Sequence, residues 1–179
     1  MPNQPDTVWI VSEAWPFWAL EARERCDTRV SERPNTDAPE LSMPAAKLLA
    51  MWLVPLAVII ANGLNYKGSQ GSTRTEHRIV AIGDCEPAAG AMNAATSGEP
   101  TMAGIISLAR KLTQIWLAAA VPREANQDAD LLSHPATSPH RLPACVPHGW
   151  RIRYAHVPQW AWMRVRALLI QIARDRDQY

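Results

Sequence analysis

Asp84 and Asp130 are the residues of this chain whose type and spacing best suit chemistry. Each stands behind an apolar run that reads as a strand. Asp84 directly follows Arg78-Ile-Val-Ala-Ile-Gly83, and Asp130 lies nine residues beyond Ile115-Trp-Leu-Ala-Ala-Ala-Val121. Pro122 ends the second run, Asn126 can cap a short helix, and Asp128 and Asp130 then fall in its first turn. The dipole of a helix favours carboxylates there. Carboxylates gathered at the end of a sheet suit a hard divalent cation such as Mg²⁺, which takes oxygen ligands. Two such cations about 4 Å apart, one activating water and one stabilising the leaving oxygen, hydrolyse phosphodiesters.

Other reactive types are less well placed. Cys145-x-x-His148, with His140 and His156 nearby, lacks the second cysteine that a four-ligand zinc site needs, so these read as incidental loop side chains. Cys85 follows Asp84 where a buried thiol is expected, which favours an inert core residue over a nucleophile. Ser12-Glu13 and Ser133-His134 form no triad. Gly68-x-x-Gly71 lacks the Lys-Ser/Thr and the strand–helix context of a phosphate loop. Trp160 and Trp162 beside Arg164 and Arg166 suit either stacking on single-stranded nucleic acid or packing in a core.

The elements that must position Asp84 and Asp130 alternate strand and helix. Thr7–Ser12 reads as a strand and Trp15–Arg25 as a helix, followed by a polar loop over Cys26–Pro39. Ser42 can cap a helix running from near Pro44 to Ala61, with Leu48, Leu49, Trp52, Leu56 and Ile59 or Ile60 on one face, Pro55 inside it and Asn62-Gly63 ending it. Lys67–Glu76 is a polar loop. The strand ending at Gly83 leads to an Ala-rich helix over Glu86–Ala95, with Pro87 in its first turn. A turn over Thr96–Pro100, a helix over Met102–Gln114 and the strand Ile115–Val121 follow. Beyond a Pro-rich linker, Arg151–Val157 reads as a strand and Pro158–Asp175 as an amphipathic helix with Trp162, Val165, Leu169 and Ile172 on one side. This alternation predicts an α/β domain.

Composition sets the outer bounds. A chain of 179 residues with 47% hydrophobic content accommodates one domain plus tails. Three cysteines, an odd number at wide spacing, indicate no disulfide framework and favour a reducing compartment. No signal-peptide order opens the chain. The longest apolar run, Leu48–Ala61, has fourteen residues, short of the roughly 20 that cross a bilayer, and predicts a buried helix. Charge is uneven: residues 1–40 hold four Arg against eight Asp or Glu, and residues 141–179 hold seven Arg against two Asp. A basic tail of this kind is either a solvated helix face or an attractor of nucleic acid or an anionic surface.

Three segments together resemble a known family. The order of an apolar strand, then Val121-Pro-x-x-x-Asn126-x-x-Ala129-Asp130-x-Leu132-Ser133, resembles the last strand and final helix of the ribonuclease H domain of retroelement reverse transcriptases, above all those of elements that carry a tyrosine recombinase. Asp84-Cys-Glu-Pro-Ala-Ala-Gly-Ala-Met-Asn93 resembles that family's preceding strand-to-helix segment. Leu41-Ser-Met-Pro-Ala-Ala-Lys-Leu-Leu-Ala50 resembles its first helix. The resemblance covers about Leu41–Pro135, extends weakly to Thr7–Ser12, and continues from Gly149 as a tail like those that follow the domain in similar polyproteins.

Ribonuclease H-like domains have four acidic positions, on the first strand, on the first helix, at the end of the next strand and at the start of the last helix. By this resemblance Asp84 fills the third and Asp130 the fourth, which implies that both are catalytic and hold Mg²⁺. The first-helix position is degenerate: Lys47 stands where the family has Glu. Lys47 either reaches Asp84 and Asp130, in the place of the cations, or faces solvent. The first-strand position has no counterpart. Thr36-Asp37-Ala38 resembles it by letters alone, ten residues before Lys47 in a Pro-flanked loop.

The expected architecture is therefore α/β, an incomplete ribonuclease H-like fold with a mixed sheet flanked by helices and a C-terminal strand–helix extension. Its divisions are residues 1–40, poorly defined; 41–135, the partial domain; 136–148, a linker; and 149–179, a basic extension. The expected function is that of a remnant of an enzyme that hydrolyses the RNA strand of RNA–DNA hybrids, impaired by the loss of two of four metal-binding carboxylates. An alternative is a non-catalytic nucleic-acid-binding module using Arg123, Arg151, Arg153, Arg164 and Arg166; another is a fragment without independent stability. The implied partners are RNA–DNA hybrid or other nucleic acid and the rest of a polyprotein, with no membrane, in the cytoplasm or nucleus.

Overall fold

The computed structural model describes residues 7–12, 41–63, 79–113, 115, 117–133 and 146–177. The expected helix at Trp15–Arg25, the loops at Cys26–Pro39 and Lys67–Glu76, and linker residues 136–145 lie outside them. The described elements run β1 (Thr7–Ser12), α1 (Met43–Ala61), β2 (Val80–Gly83), α2 (Glu86–Ala94), α3 (Pro100–Leu112), β3 (Leu117–Ala120), a 3-10 turn (Arg123–Asn126), α4 (Gln127–Ser133), β4 (Arg151–His156) and α5 (Gln159–Asp177).

Helix α1 begins where the Ser42 hydroxyl accepts the Ala45 N–H at 3.4 Å, and Pro44 sits in the first turn, where a missing N–H costs nothing. It ends at Asn62-Gly63, with Gly63 in the left-handed region at φ +66 and its N–H on the Ile60 carbonyl. The expected stripe is buried, with Leu48, Leu49, Trp52 and Leu56 at 0% exposure. Ala45, Ala46, Met51, Leu53 and Ala57 are buried too, so α1 is covered on more than one side. The expectation that this segment is too short to cross a bilayer is corrected. Met43–Lys47, one of them charged, lengthen the segment into a 19-residue helix, which by length and composition alone could cross a membrane. Its packing against α2, α3 and β2 makes it the central helix of the core.

The described strands form two parallel pairs, β1–β4 and β2–β3, instead of one mixed sheet. Parallel partners need a crossover, and α2 and α3 supply it between β2 and β3. Helices cover the face of β2–β3 that carries Ala81 and Ala118; Val80, Ile82 and Leu117 on the other face are exposed. The outer edge of β3 is closed by a side chain. Asn93 of α2 accepts the Ala118 N–H at 2.8 Å and donates to the Ala118 carbonyl at 2.7 Å, as a further strand would. At the other end of the chain, β4 pairs with β1 and α5 packs on α3. There a β-carbon on Gly104 would come within 2.8 Å of Leu168, so the two helices approach closely. Ala161, Trp162, Val165 and Leu169 join the same core as α1. Within that core the Trp52 indole donates to the Thr113 hydroxyl at 2.6 Å, tying α1 to the end of α3.

Candidate functional site

Strands β2 and β3 point the same way in the register Gly83↔Ala120, so the residues that follow them emerge at one carboxyl edge. The Val121 N–H on the Gly83 carbonyl, at 2.8 Å, extends the pairing to that edge. Residues outside the carboxyl ends of parallel strands are those that fold geometry exposes for ligands. Asp84 leaves β2 there. Pro122 leaves β3 and turns the chain into the 3-10 turn and α4, which carry Arg123 and Asp130.

The expected Asn126 cap does not form. Asn126 is the last residue of the 3-10 turn and already helical, because the chain winds directly after Pro122, with the Ala125 N–H on the Pro122 carbonyl at 2.9 Å. Asp128 and Asp130 do lie in the first turn of α4.

Lys47, the fifth residue of α1, reaches the same edge. Met51, one turn on, lies 3.6 Å from where a Gly83 β-carbon would be, so α1 runs across the end of β2. The Lys47 ammonium is 2.9 Å from Asp84 Oδ1, with the two side chains 35% and 13% exposed. Lys47 is turned toward Asp84 and away from open solvent, but the other carboxylate it was expected to reach, Asp130, pairs with Arg123 instead. Asp130 Oδ2 accepts from Arg123 Nη2 at 3.2 Å. The hydrogen bond from Lys47 holds the Asp84 carboxyl below its ordinary range. Burial pushes the other way, and the charges of Lys47 and, more weakly, Arg123 add to the depression. Asp84 therefore stands as an ionised carboxylate between cationic side chains.

This set does not fit Mg²⁺. A divalent centre needs several oxygen ligands turned to the ion. Here Asp84 and Asp130 each hold a cationic side chain, and no three His, Cys, Asp or Glu gather as a metal site among the described residues. A small cavity of about 160 Å³ between α2 and α3, lined by Met92, Asn93, Arg110 and Thr113 among others, includes none of Lys47, Asp84, Arg123 or Asp130.

The remaining candidates are spread along β4 and α5. Arg151 and Arg153 are exposed on β4, and Arg164 and Arg166 on α5. Arg153 lies over the Trp9 ring at 5.7 Å and Arg164 over Trp160 at 5.6 Å, whereas Trp162 is buried in the core. Cys85 is half-buried against the core, and His148 is exposed. Arg123, expected only as a phosphate contact, serves as the partner of Asp130. Its place in a turn followed by acidic residues was visible in the sequence, but the pairing depends on the 3-10 geometry.

Compared with family models, curated proteins and solved structures, the chain matches none.

Proposed function

We propose that this chain is a remnant of the ribonuclease H-like domain of a retroelement reverse transcriptase, in which metal-dependent cleavage of RNA in RNA–DNA hybrids has been lost. One observation carries the reading. Lys47, at the position the resemblance gives to a metal-binding Glu, places its ammonium 2.9 Å from Asp84. A side chain that aligns with an acidic ligand and meets the next acidic ligand is what a degenerate centre of this type requires. The parallel β2–β3 pair joined by two helices, with Asp84 and the Asp130 segment at one edge, supports the same topology.

The chemistry of the site follows from its charges. An ammonium neutralises Asp84 but cannot activate a water or polarise a phosphate oxygen as a divalent cation does. The Arg123–Asp130 pair leaves the second carboxylate equally committed. The edge is then a pair of ion pairs, suited to holding α1, β2 and the β3–α4 turn together.

An RNA–DNA hybrid cleavage assay in Mg²⁺ tests the reading. This chain is expected not to cut. A version given a family-like first strand upstream together with Lys47→Glu is expected to cut, and Asp84→Asn in that background to abolish the cutting. Cleavage by the unaltered chain that Asp84→Asn removes would show that the centre is active. Absence of cleavage by both, with both folded, would remove the support for ribonuclease ancestry.

A further inference from the structure

We infer that the open edge of β2 pairs with the same edge of a second copy of this chain, antiparallel, to make one continuous sheet. The inference is independent of the reading given to the acidic edge. Backbone N–H and C=O groups alternate in direction along a strand, residue by residue. The Ile79 and Gly83 carbonyls accept from the N–H groups of Leu117 and Val121, at 3.3 and 2.8 Å, so they face β3. The N–H and C=O groups of Val80 and Ile82 therefore face the opposite side of β2. Among the described residues, no hydrogen bond reaches them there. Strand β3 follows the same alternation: Ala118 turns outward, and Asn93 takes both of its groups. One edge of the β2–β3 pair is thus closed by a side chain and the other is open. Unpaired edge groups in strand register are a template for another strand. Val80 and Ile82 are 46% and 59% exposed, so solvent reaches both.

The edge is complementary to itself. In an antiparallel pair, directly opposed residues whose groups face each other exchange both hydrogen bonds. With two copies centred on Ala81, Val80 of each lies opposite Ile82 of the other. Every outward N–H and C=O of both residues then has a partner, and none is left over. The same register sets two β-branched side chains against each other on the outer face, a favourable cross-strand pair. Between Ile79 and Gly83 the chain carries no charge, and Asp84 beyond is matched by Lys47, so the copies meet without repulsion. A two-fold contact uses the same surface on both partners. In the sheet so formed each outer edge is a β3 edge, which Asn93 closes, so growth stops at two copies. A strand of four residues is short beside the roughly 1,200 Å² that a stable interface buries, so the dimer forms only at high concentration.

Sedimentation equilibrium of the full chain from micromolar to millimolar concentration tests the inference, with amide hydrogen exchange followed over the same range. The expected result is a monomer that passes to a dimer and no further. The Val80 and Ile82 amides should exchange more slowly as the dimer forms. Ile82→Pro removes an outward N–H that β3 does not use, at an edge position where strands tolerate proline. It should weaken the dimer by about tenfold or more, because one hydrogen bond is lost from each copy, with circular dichroism preserved. Leu117→Ser alters the same apolar face but lies on β3, away from the open edge, and should leave the dimer intact. A monomer throughout the range, or assembly past two copies, would overturn the inference. So would dimerisation of folded Ile82→Pro equal to that of the unaltered chain, or loss of the dimer in Leu117→Ser, which would assign it to the apolar face. Exchange at Val80 and Ile82 that does not slow with concentration would overturn it without recourse to any variant.

Discussion

The Lys47 ammonium meets a carboxylate that is 13% exposed while Lys47 itself is 35% exposed. Breaking a pair so placed costs more than breaking one on the open surface and less than stranding one partner in a dry interior. Lys47→Ala should therefore destabilise the fold by about 1 kcal/mol, measured by urea denaturation at neutral pH. The pH dependence has a definite sign. The Asp84 carboxyl titrates lower in the folded state than its ordinary value, so its contribution is present above about pH 4. It is lost as pH falls through the lowered value. The Lys47→Ala penalty should shrink over that acid range, and a penalty constant down to acid pH would show that charge pairing is not its source. Asp84 and Asp130 could be picked out at the ends of apolar runs, and Lys47 only through the family resemblance. The commitment of each carboxylate to a cation could not, because Lys47 and Asp84 are 37 residues apart and their meeting depends on how α1 lies across β2.

Helices and strands were legible where apolar periodicity was strong and turn residues stood at the ends. Strands β1 and β4 fall where the short apolar Thr7–Ser12 segment and the weakly alternating Arg151–Val157 segment were expected, and α1 has the Ser42 cap that the sequence signals. Helix α3 begins earlier than expected because Glu99 accepts the Thr101 and Met102 N–H groups, at 2.9 and 2.7 Å, and so takes the capping role. Two long-range side-chain contacts were illegible and fix how the elements meet. Asn93 satisfies both outward backbone groups of Ala118. Asn93→Ala removes both partners at once and should cost about 1–3 kcal/mol, the usual range for a polar group left unsatisfied; hydrogen exchange at the Ala118 amide should accelerate in step. Thr113 accepts from the fully buried Trp52 indole, and Thr113→Val strands that donor in an apolar core. A loss of about 1–3 kcal/mol is expected, read by thermal denaturation together with a shift in tryptophan emission. A loss without any spectral change would place the effect elsewhere.

Across the whole molecule, one core joins α1, α2, α3, the β2–β3 pair and α5, yet the strands are divided into two pairs. Val80, Ile82 and Leu117 leave an apolar face of β2–β3 at 46%, 59% and 42% exposure. Such a face favours self-association. Ile82→Lys should leave the denaturation midpoint nearly unchanged, within about 0.5 kcal/mol for an exposed site, and should raise solubility, measured by light scattering against concentration. Unchanged scattering would show that this face is not the sticky one. The α/β character was legible because strands and helices alternate, whereas the split into parallel pairs was not, since β1 finds β4 across most of the chain. The most direct test of the account lies in the contrast between Lys47 and Glu at one position. Thermal denaturation of this chain and of Lys47→Glu, each titrated with Mg²⁺, compares a carboxylate edge held by an ammonium with one released from it. A ligand that binds only the folded state raises its midpoint with concentration. A flat response is expected for this chain and a rising midpoint for Lys47→Glu. Equal stabilisation of both, or none in either, would contradict it.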